Sequence, residues 1–314
     1  CRFCMAGYCF RRPRVRSLDR VAAALERAAP LRRKVGLVGA AISDYPEIDK
    51  LCDMILARGM TLSVASLRAD SLTPRLAEAL AASGHRTITL APEAGSARLR
   101  RVINKNITDD HLRQAVSLAM AAGIVNVRLY IMVGLPTETE EDILAIVNMA
   151  RELKDLMSAL GSPGILTLSV NPFVPKPFTP FQWLPMTPAP VVEARLKKLQ
   201  AALRADKKIK VLIESPREAY IQGVLARGDR RLAVVLAASH ALGGVKAWKR
   251  AVKQCQLAEA FYLHRTRSFD EILPWQHLTM GLDDEYLVTE YNNAMAERYM
   301  PPCSPNGQRC GVCR

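Results

Sequence analysis

The segment Thr108–Leu156, TDDHLRQAVSLAMAAGIVNVRLYIMVGLPTETEEDILAIVNMARELKDL, contains one complete unit of the fold. Thr108 can cap a helix that ends at Gly123, and Thr139 can cap a second, longer helix. Between the two helices, Asn126–Val133 is an apolar run of strand length. A buried strand between two helices is the repeating unit of a parallel sheet with right-handed crossovers.

The same alternation continues on both sides of this unit. Further strands, each separated from the next by a helix, are predicted at Val35–Gly39, Leu62–Val64, Thr87–Leu90 and Ile165–Val170. This pattern predicts an α/β fold, and it leaves open whether the sheet stays open or curls into a barrel. After Asn171 a proline-rich connection interrupts it, and the rest is mostly helical apart from a short strand at Ile209–Ile213. We therefore divide the chain into a barrel-like domain, 1–185, and a mostly helical C-terminal region, 186–314.

Composition and charge limit the function classes. The chain has 314 residues, 49% of them hydrophobic, which is typical of a globular protein rather than a disordered one. No uncharged apolar stretch reaches about 18 residues, so the sequence predicts no membrane span. The net charge of +14 favours anionic partners such as nucleic acid, phosphates or carboxylate-bearing cofactors. The alternative is an arginine-rich, solvated surface, since no RNA-binding motif accompanies the charge.

The cysteines are concentrated at the two ends of the chain. Three stand near the start and three near the end: Cys1, Cys4, Cys9, Cys303, Cys310 and Cys313. A secreted disulfide framework would spread them along the chain, whereas terminal clusters without a signal peptide are typical of metal sites in a reducing compartment. We therefore expect a cytoplasmic protein. The chain does not start with Met, so we expect either processing or missing upstream sequence.

The first cluster contains a thiolate pair. In Cys1-Arg-Phe-Cys4 the two-residue spacing lets both sulfurs reach one metal ion or cluster. The run from Cys1 to Tyr8 resembles the end of the radical S-adenosylmethionine (SAM) cluster loop, in which three cysteines are separated by three and two residues. On this alignment Cys1 is the second ligand and Cys4 the third, and the first ligand and the first barrel strand lie upstream of the chain. The alternative triad, Cys1, Cys4 and Cys9, does not match the family's spacing.

A second resemblance lies at the end of the strand Thr87–Leu90. There Glu93, Gly95 and Ser96 precede a predicted helix. Backbone N–H groups of Gly95 and Ser96 at the helix N-terminus suit a carboxylate, and Glu93 offers an acceptor for a ribose hydroxyl or an ammonium group. The resemblance implies that this segment holds the ribose and methionine portions of SAM. The alternative is an ordinary strand-to-helix turn.

A third resemblance follows the strand Asn126–Val133. The run from Gly134 to Thr139 is similar to the Gly-Leu-Pro-x-Glu-Thr signature of many family members, which implies that the strand backbone lies against adenine. Gly134 would let the backbone approach a flat ligand, and Thr139 with the acidic residues after it would mainly cap the next helix. Ser43, Asp44 and Arg68 end two further strands. Each is expected either to face SAM or substrate at the same mouth or to cap a loop.

Together these resemblances imply a radical SAM enzyme with a partial (β/α)6 TIM-like barrel that lacks its first strand. The closest likeness is to a large group whose members often carry an N-terminal cobalamin-binding domain. Such an enzyme uses a 4Fe–4S cluster and an external electron donor to cleave SAM reductively to a 5′-deoxyadenosyl radical. The chain alone is expected to be inactive. The charge favours RNA or another anionic macromolecule as substrate; a small molecule or lipid, or a non-catalytic Fe–S or zinc RNA-interaction module, are the alternatives.

The second cysteine cluster predicts a separate metal site. Cys310 and Cys313 have the spacing of a ligand pair, and Cys303 is a third thiolate. Three thiolates can hold zinc with a fourth ligand, such as His264 or His277, or a second Fe–S cluster with an open iron. The alternative is a terminal tail of reduced cysteines.

Overall fold

A computed structural model describes residues 1–11, 14–39, 41–303 and 310–311. In this part of the chain six strands alternate with helices: β1 Lys34–Gly36, β2 Thr61–Ser63, β3 Thr87–Glu93, β4 Asn126–Val133, β5 Leu166–Pro172 and β6 Ile209–Ile213. All six predicted strands are present, although β1 ends three residues earlier than expected.

The strands form two parallel sheets. β1 pairs with β2, and β3, β4, β5 and β6 follow each other in order. A single parallel bridge between Leu67 and Leu90 links the segment after β2 to β3. The predicted α/β fold with parallel strands is therefore confirmed. Within the ranges that the structure describes, the strands do not close into a barrel.

The helices follow the strands as predicted and then fill the C-terminal part. Their bounds are α1 Ala6–Cys9, α2 Leu18–Ala28, α3 Ile48–Ala57, α4 Pro74–Ala82, α5 Ala97–Val102, α6 Asp109–Ala121, α7 Glu140–Ala159, α8 Ala189–Leu203, α9 Pro216–Arg227, α10 Leu232–Ala241, α11 Trp248–Gln254, α12 Glu259–Leu263 and α13 Asp284–Met295. Thr108 caps α6 by accepting from the backbone N–H of His111 at 3.2 Å, as the sequence indicates. No helix in the described ranges has both the length and the apolar character needed to cross a membrane.

The two faces of the sheet differ in chemistry. Side chains of a strand alternate between faces, and one set packs under the helices in a core that includes Leu90, Leu129 and Leu168. The opposite set forms what we call the polar face. Its strand positions are Lys34, Gly36, Thr61, Ser63, Thr87, Thr89, Ala91, Asn126, Arg128, Tyr130, Met132, Thr167, Ser169, Asn171, Lys210 and Leu212.

The sheet and its core continue beyond the proline-rich connection. β6 pairs with β5, and Leu196 and Leu199 of α8 pack in the same core as the earlier strands. The connection itself is ordered by burial of its aromatic side chains, with Phe181 fully buried and Trp183 nearly so. The division between 1–185 and 186–314 stays a prediction, while the sheet itself extends to Ile213.

Candidate active site

The cysteine turn at the start of the chain is fixed in place by Arg2. This side chain is completely buried, and its Nε lies 3.1 Å from Oε2 of Glu290 on α13. Its backbone N–H donates to the carbonyl of Ile103 at 2.8 Å. The guanidinium also donates to three backbone carbonyls, those of Arg101 at 2.8 Å, Val102 at 3.1 Å and Arg298 at 2.9 Å. Arg2 therefore docks the turn on the end of α5 and on the segment after α13.

The turn lies beside the ends of β3 and β4. Phe3 packs against a buried cluster that includes Ala94, just after β3, and Leu135, just after β4. Met132, near the end of β4, packs against the same cluster. The cysteine turn is thus at the carboxyl edge of the parallel sheet, the edge at which parallel α/β proteins place their active sites.

The cysteine thiols near the start of the chain do not converge on one point. Cys1 is exposed, Cys4 is half-buried, and the N–H of Cys4 donates to the carbonyl of Cys1 at 3.4 Å. Cys9 is half-buried at the end of α1, where burial and the neighbouring Cys4 raise its pKa. Nowhere in the described ranges do three His, Cys, Asp or Glu side chains meet closely enough to hold a metal ion. The described residues therefore do not by themselves form a three-thiolate site, and cluster binding by Cys1 and Cys4 stays a prediction.

The turn after β3, residues 93–96, begins with a strained residue. Glu93 has φ +67°, a conformation that non-glycine residues seldom adopt. Its Oε1 accepts from Nζ of Lys105 at 3.0 Å, and both side chains are largely buried. Burial raises the pKa of Glu93, while the Lys105 ammonium opposes the rise. Backbone strain at a residue that carries a carboxylate at a strand end is typical of a functional site.

The other two predicted residues of this β3 turn, Gly95 and Ser96, make packing and helix-capping contacts. The Ser96 hydroxyl accepts from the N–H of Leu99 at 3.1 Å and donates to Oδ1 of Asp142 at 2.5 Å. A Cβ on Gly95 would lie 2.3 Å from the backbone nitrogen of Ile146 on α7. Gly95 is therefore required for a close contact between backbones. Binding of SAM by Glu93, Gly95 and Ser96 stays a prediction.

The turn after β4, residues 134–139, is held by a carboxylate inside it. Glu138 accepts from the N–H of Gly134 at 2.8 Å, and Arg195 of α8 donates to the same oxygen at 2.9 Å. Gly134 has φ +89°, and its carbonyl accepts from the Thr187 hydroxyl at 3.0 Å. Neither Glu138 nor Arg195 was predicted as a site residue, although Glu138 is the acidic residue of the Gly-Leu-Pro-x-Glu-Thr pattern. Contact of Gly134 with adenine stays a prediction.

The two carboxylates near this β4 turn have opposite pKa shifts. Burial raises the pKa of Glu138 to about 7, against the hydrogen bond from Gly134 and the charge of Arg195. Asp142 accepts from the N–H of Thr139 at 2.8 Å and also pairs with Arg98. Although burial opposes it, the bonds from Arg98 and Ser96 lower the pKa of Asp142. Thr139 thus caps α7 as predicted, with Asp142 as its partner in the first turn.

The predicted residues after β1 and β2 meet each other. Arg68 donates to Asp70 at 3.1 Å and lies 3.6 Å from Asp44, so these two strand ends share one ion-pair network. Ser43 is buried and accepts from the hydroxyl of Ser71 at 2.7 Å. Ser43 and Arg68 follow the carboxyl ends of β1 and β2, and the parallel bridge from Leu67 to Leu90 puts this edge beside the end of β3 that carries Glu93. Whether they bind SAM or substrate stays a prediction.

At the C-terminus the structure describes part of the second cysteine cluster. Cys310 is buried and its carbonyl accepts from the N–H of Asp283 at 3.1 Å, Cys303 is exposed, and Cys313 lies outside the described residues. His264 contacts the Tyr220 hydroxyl and the Met186 carbonyl. His277 contacts the Pro274 carbonyl at 3.0 Å. Both histidines therefore have structural partners, and a metal at these cysteines stays a prediction.

A curated protein is similar in sequence to part of this chain. The chain is 36% identical over 238 residues to Uncharacterized protein MJ0966 of Methanocaldococcus jannaschii, which covers 75% of this chain and 51% of that protein. The chain therefore spans about half the length of this curated relative.

Among solved structures, SuiB of Streptococcus suis bound to S-adenosylmethionine has a TM-score of 0.47 at 16% identity, covering 69% of this chain and 49% of SuiB. Coproporphyrinogen III oxidase from Escherichia coli, described as a radical SAM enzyme, has a TM-score of 0.42 at 14% identity, covering 60% of this chain and 45% of that one. The model of the Radical SAM superfamily matches residues 1–150, which include the cysteine turn and both strand-end turns. The similarity to the Radical SAM superfamily therefore lies in residues 1–150.

Proposed function

We propose that the protein is a radical SAM enzyme that cleaves SAM reductively with a 4Fe–4S cluster. The observation that carries the proposal is the position of the Cys1–Cys4 turn. Inside the matched region, Arg2 and Phe3 hold this turn against the ends of β3 and β4. Thiols beside the carboxyl edge of a parallel sheet are where a cluster would meet a ligand bound at that edge.

The residues present suit parts of this chemistry. Cys1 and Cys4 would supply two thiolates, and a third would come from Cys9 or from sequence upstream of Cys1. Glu93 would accept from the amino group or ribose of SAM, and the backbone at Gly134 would lie against adenine. When bound, the cluster and SAM would supply 5′-deoxyadenosyl radical chemistry, which removes a hydrogen atom from the substrate. The protein orients the reactants and excludes water, and an external donor provides the electron.

The finer assignments are proposals of the same kind. Net charge favours RNA or another anionic macromolecule as substrate, with a small molecule or lipid as the alternative. A cobalamin domain upstream and a second Fe–S cluster or zinc at Cys303, Cys310 and Cys313 would extend the cofactor set. For RNA, filter binding at two salt concentrations is decisive, because phosphate contacts make affinity fall steeply with salt. An affinity that does not change with salt contradicts the RNA assignment.

The reaction itself is tested with the complete gene product under strict anaerobiosis. After cluster reconstitution and chemical reduction, we expect release of 5′-deoxyadenosine from SAM, measured by liquid chromatography. Cys4→Ala should abolish release. Cys255→Ala, at a half-buried cysteine in the C-terminal region, is the matched control and should retain it. If the cluster is confirmed by its absorption and iron content and no 5′-deoxyadenosine forms, the proposed function is wrong.

A further inference from the structure

The polar face of the sheet has a row of side chains in register across four strands. Thr89 of β3 is paired with Arg128 of β4, Arg128 with Thr167 of β5, and Thr167 with Lys210 of β6. In this row the guanidinium of Arg128 lies between the hydroxyls of Thr89 and Thr167. The ammonium of Lys210 lies at the edge of the sheet. The neighbouring residues on each strand point the other way, into the apolar core.

Arg128 stands out because it has no partner of its own. Among the residues that the structure describes, its side chain makes no ion pair or hydrogen bond, and its Nε is inaccessible to solvent. A buried donor left without an acceptor costs about 1–3 kcal/mol, and more when the group is charged. The buried Arg2 and Arg227 donate to backbone carbonyls. Arg100 and Arg267 also have buried nitrogens without a partner, but each donates to a carbonyl through another nitrogen. An unpartnered guanidinium in mid-sheet is therefore suited to an anion that is not part of the chain.

The charge on this face is of one sign. Lys34, Arg128 and Lys210 are its charged members, and no strand position on it carries an acid before Glu93. Glu93 stands at the end of β3 and is already paired with Lys105. Because a parallel strand rises about 3.3 Å per residue, Arg128 lies roughly 16 Å below Val133, the last residue of β4. The cationic row is thus well separated from the strand ends and the cysteine turn.

We propose that the polar face binds an anionic oxygen group, a phosphate or carboxylate, with Arg128 as its central ligand. A guanidinium binds such groups through two parallel hydrogen bonds, and the hydroxyls of Thr89 and Thr167 on either side can donate to the remaining oxygens. Calling this ligand the substrate rests on the proposed function. An anchor deep in the sheet would leave the opposite end of the substrate at the carboxyl edge, beside the cysteine turn.

The binding test uses this 314-residue chain and inorganic pyrophosphate, followed by isothermal titration calorimetry. We expect binding that Arg128→Gln weakens about 10- to 100-fold, as expected for loss of a charge-assisted bidentate contact. Arg204→Gln, at an exposed arginine just after α8 on the helix side, is the matched control and should change the affinity less than twofold. Thr167→Val should weaken binding by a few fold, and thermal melting of each variant shows whether it folds.

If pyrophosphate does not bind, the proposal is wrong. If Arg128→Gln and Arg204→Gln weaken binding equally, pyrophosphate is an adventitious ion only, and this result also overturns the proposal. The second arm measures SAM binding by the complete, reconstituted gene product. Arg128→Gln should leave SAM affinity within twofold. If SAM affinity falls while pyrophosphate affinity does not, Arg128 binds the carboxylate of SAM instead and the proposal is wrong. Failure of SAM cleavage is a separate result, because the pyrophosphate titration needs neither cluster nor SAM.

Discussion

The β3 turn and the β4 turn occupy equivalent places at the ends of neighbouring strands, yet they are stabilised in different ways. The β3 turn is fixed from outside: Gly95 lies against the backbone of α7, and Ser96 donates to Asp142 of the same helix. The β4 turn is fixed from within by Glu138, which accepts from Gly134 while Arg195 neutralises it. The shape of the first turn therefore depends on helix packing, and that of the second on a buried charge.

Each turn contains a glycine, Gly95 or Gly134, and the two glycines are required for different reasons. At Gly95 a side chain has no space, whereas at Gly134 the nearest atom to an added Cβ is Cγ2 of Val192 at 3.2 Å. Gly134 is favoured because φ is +89°, a conformation in which other residues are strained. The same residue type thus serves close packing in one turn and backbone conformation in the other.

Gly95→Ala should have the largest effect. The new methyl group would lie 2.3 Å from the backbone N of Ile146 and 2.5 Å from the carbonyl carbon of Ala145, so α7 must shift. Overpacking against backbone that cannot change rotamer should cost about 3 kcal/mol, measured as the free energy of unfolding in urea. Gly134→Ala should cost about 1–2 kcal/mol, the price of a left-handed residue.

Gly123→Ala is the control for backbone conformation alone. Gly123 has φ +88° and no heavy atom within 4 Å of an added Cβ. Its cost should match that of Gly134→Ala and stay below that of Gly95→Ala. Equal costs at all three positions would contradict the distinction between the two turns.

The sequence predicted the position of these turns but not their chemistry. Strand and helix periods, together with the cap at Thr139 after the β4 turn, placed both turns between a strand and a helix, because those signals are local. The roles of Gly95 and Arg195 depend on which helix packs where. Gly95 meets α7, about 50 residues later in the chain, and no short-range pattern encodes that contact. The lack of a partner for the Arg128 side chain could not be predicted for the same reason. A lone arginine in a strand does not show which residues pack against its face of the sheet.

Asp142→Asn should be the next largest perturbation, because this carboxylate links the two turns. It accepts from Ser96 in the β3 turn and from Thr139 in the β4 turn, and it pairs with Arg98. Asparagine keeps the shape but loses the charge, and we expect about 2 kcal/mol lower stability at pH 7.

The pH dependence checks the cause of that loss. The native pKa of Asp142 lies below its ordinary value of 3.8, so the carboxylate's contribution is present above pH 3.8 and is lost as the pH falls through the native pKa. The difference between wild type and Asp142→Asn should therefore shrink in acid. A difference that is constant down to pH 2 would mean that charge is not the cause.

Glu138 should show the opposite dependence. Its native pKa of about 7 lies above the ordinary 4.5, so the folded chain binds this proton more tightly than the unfolded chain. Its stabilising contribution is complete below pH 4.5 and is lost as the pH rises through 7. Relative to Glu138→Gln, the wild-type free energy of unfolding should fall between pH 5 and 7 by at most about 1.4 kcal/mol per pH unit. A rise over this range would show that Arg195 and the backbone donors outweigh burial.

Ser96→Ala should have the smallest effect and is best measured beside Ser215→Ala. Both serines cap a helix that follows a strand, Ser96 on α5 and Ser215 on α9. The Ser215 hydroxyl accepts from the backbone N–H of Glu218 at 3.3 Å. Loss of an exposed cap costs about 1 kcal/mol, which we expect for Ser215→Ala. Ser96 also donates to the buried Asp142, so its loss should cost a few tenths of a kcal/mol more. That excess should disappear in an Asp142→Ala background, because the side chain at position 142 then offers Ser96 no acceptor. If it persists there, the extra stability comes from the packing of Ser96 and not from its hydrogen bond to Asp142.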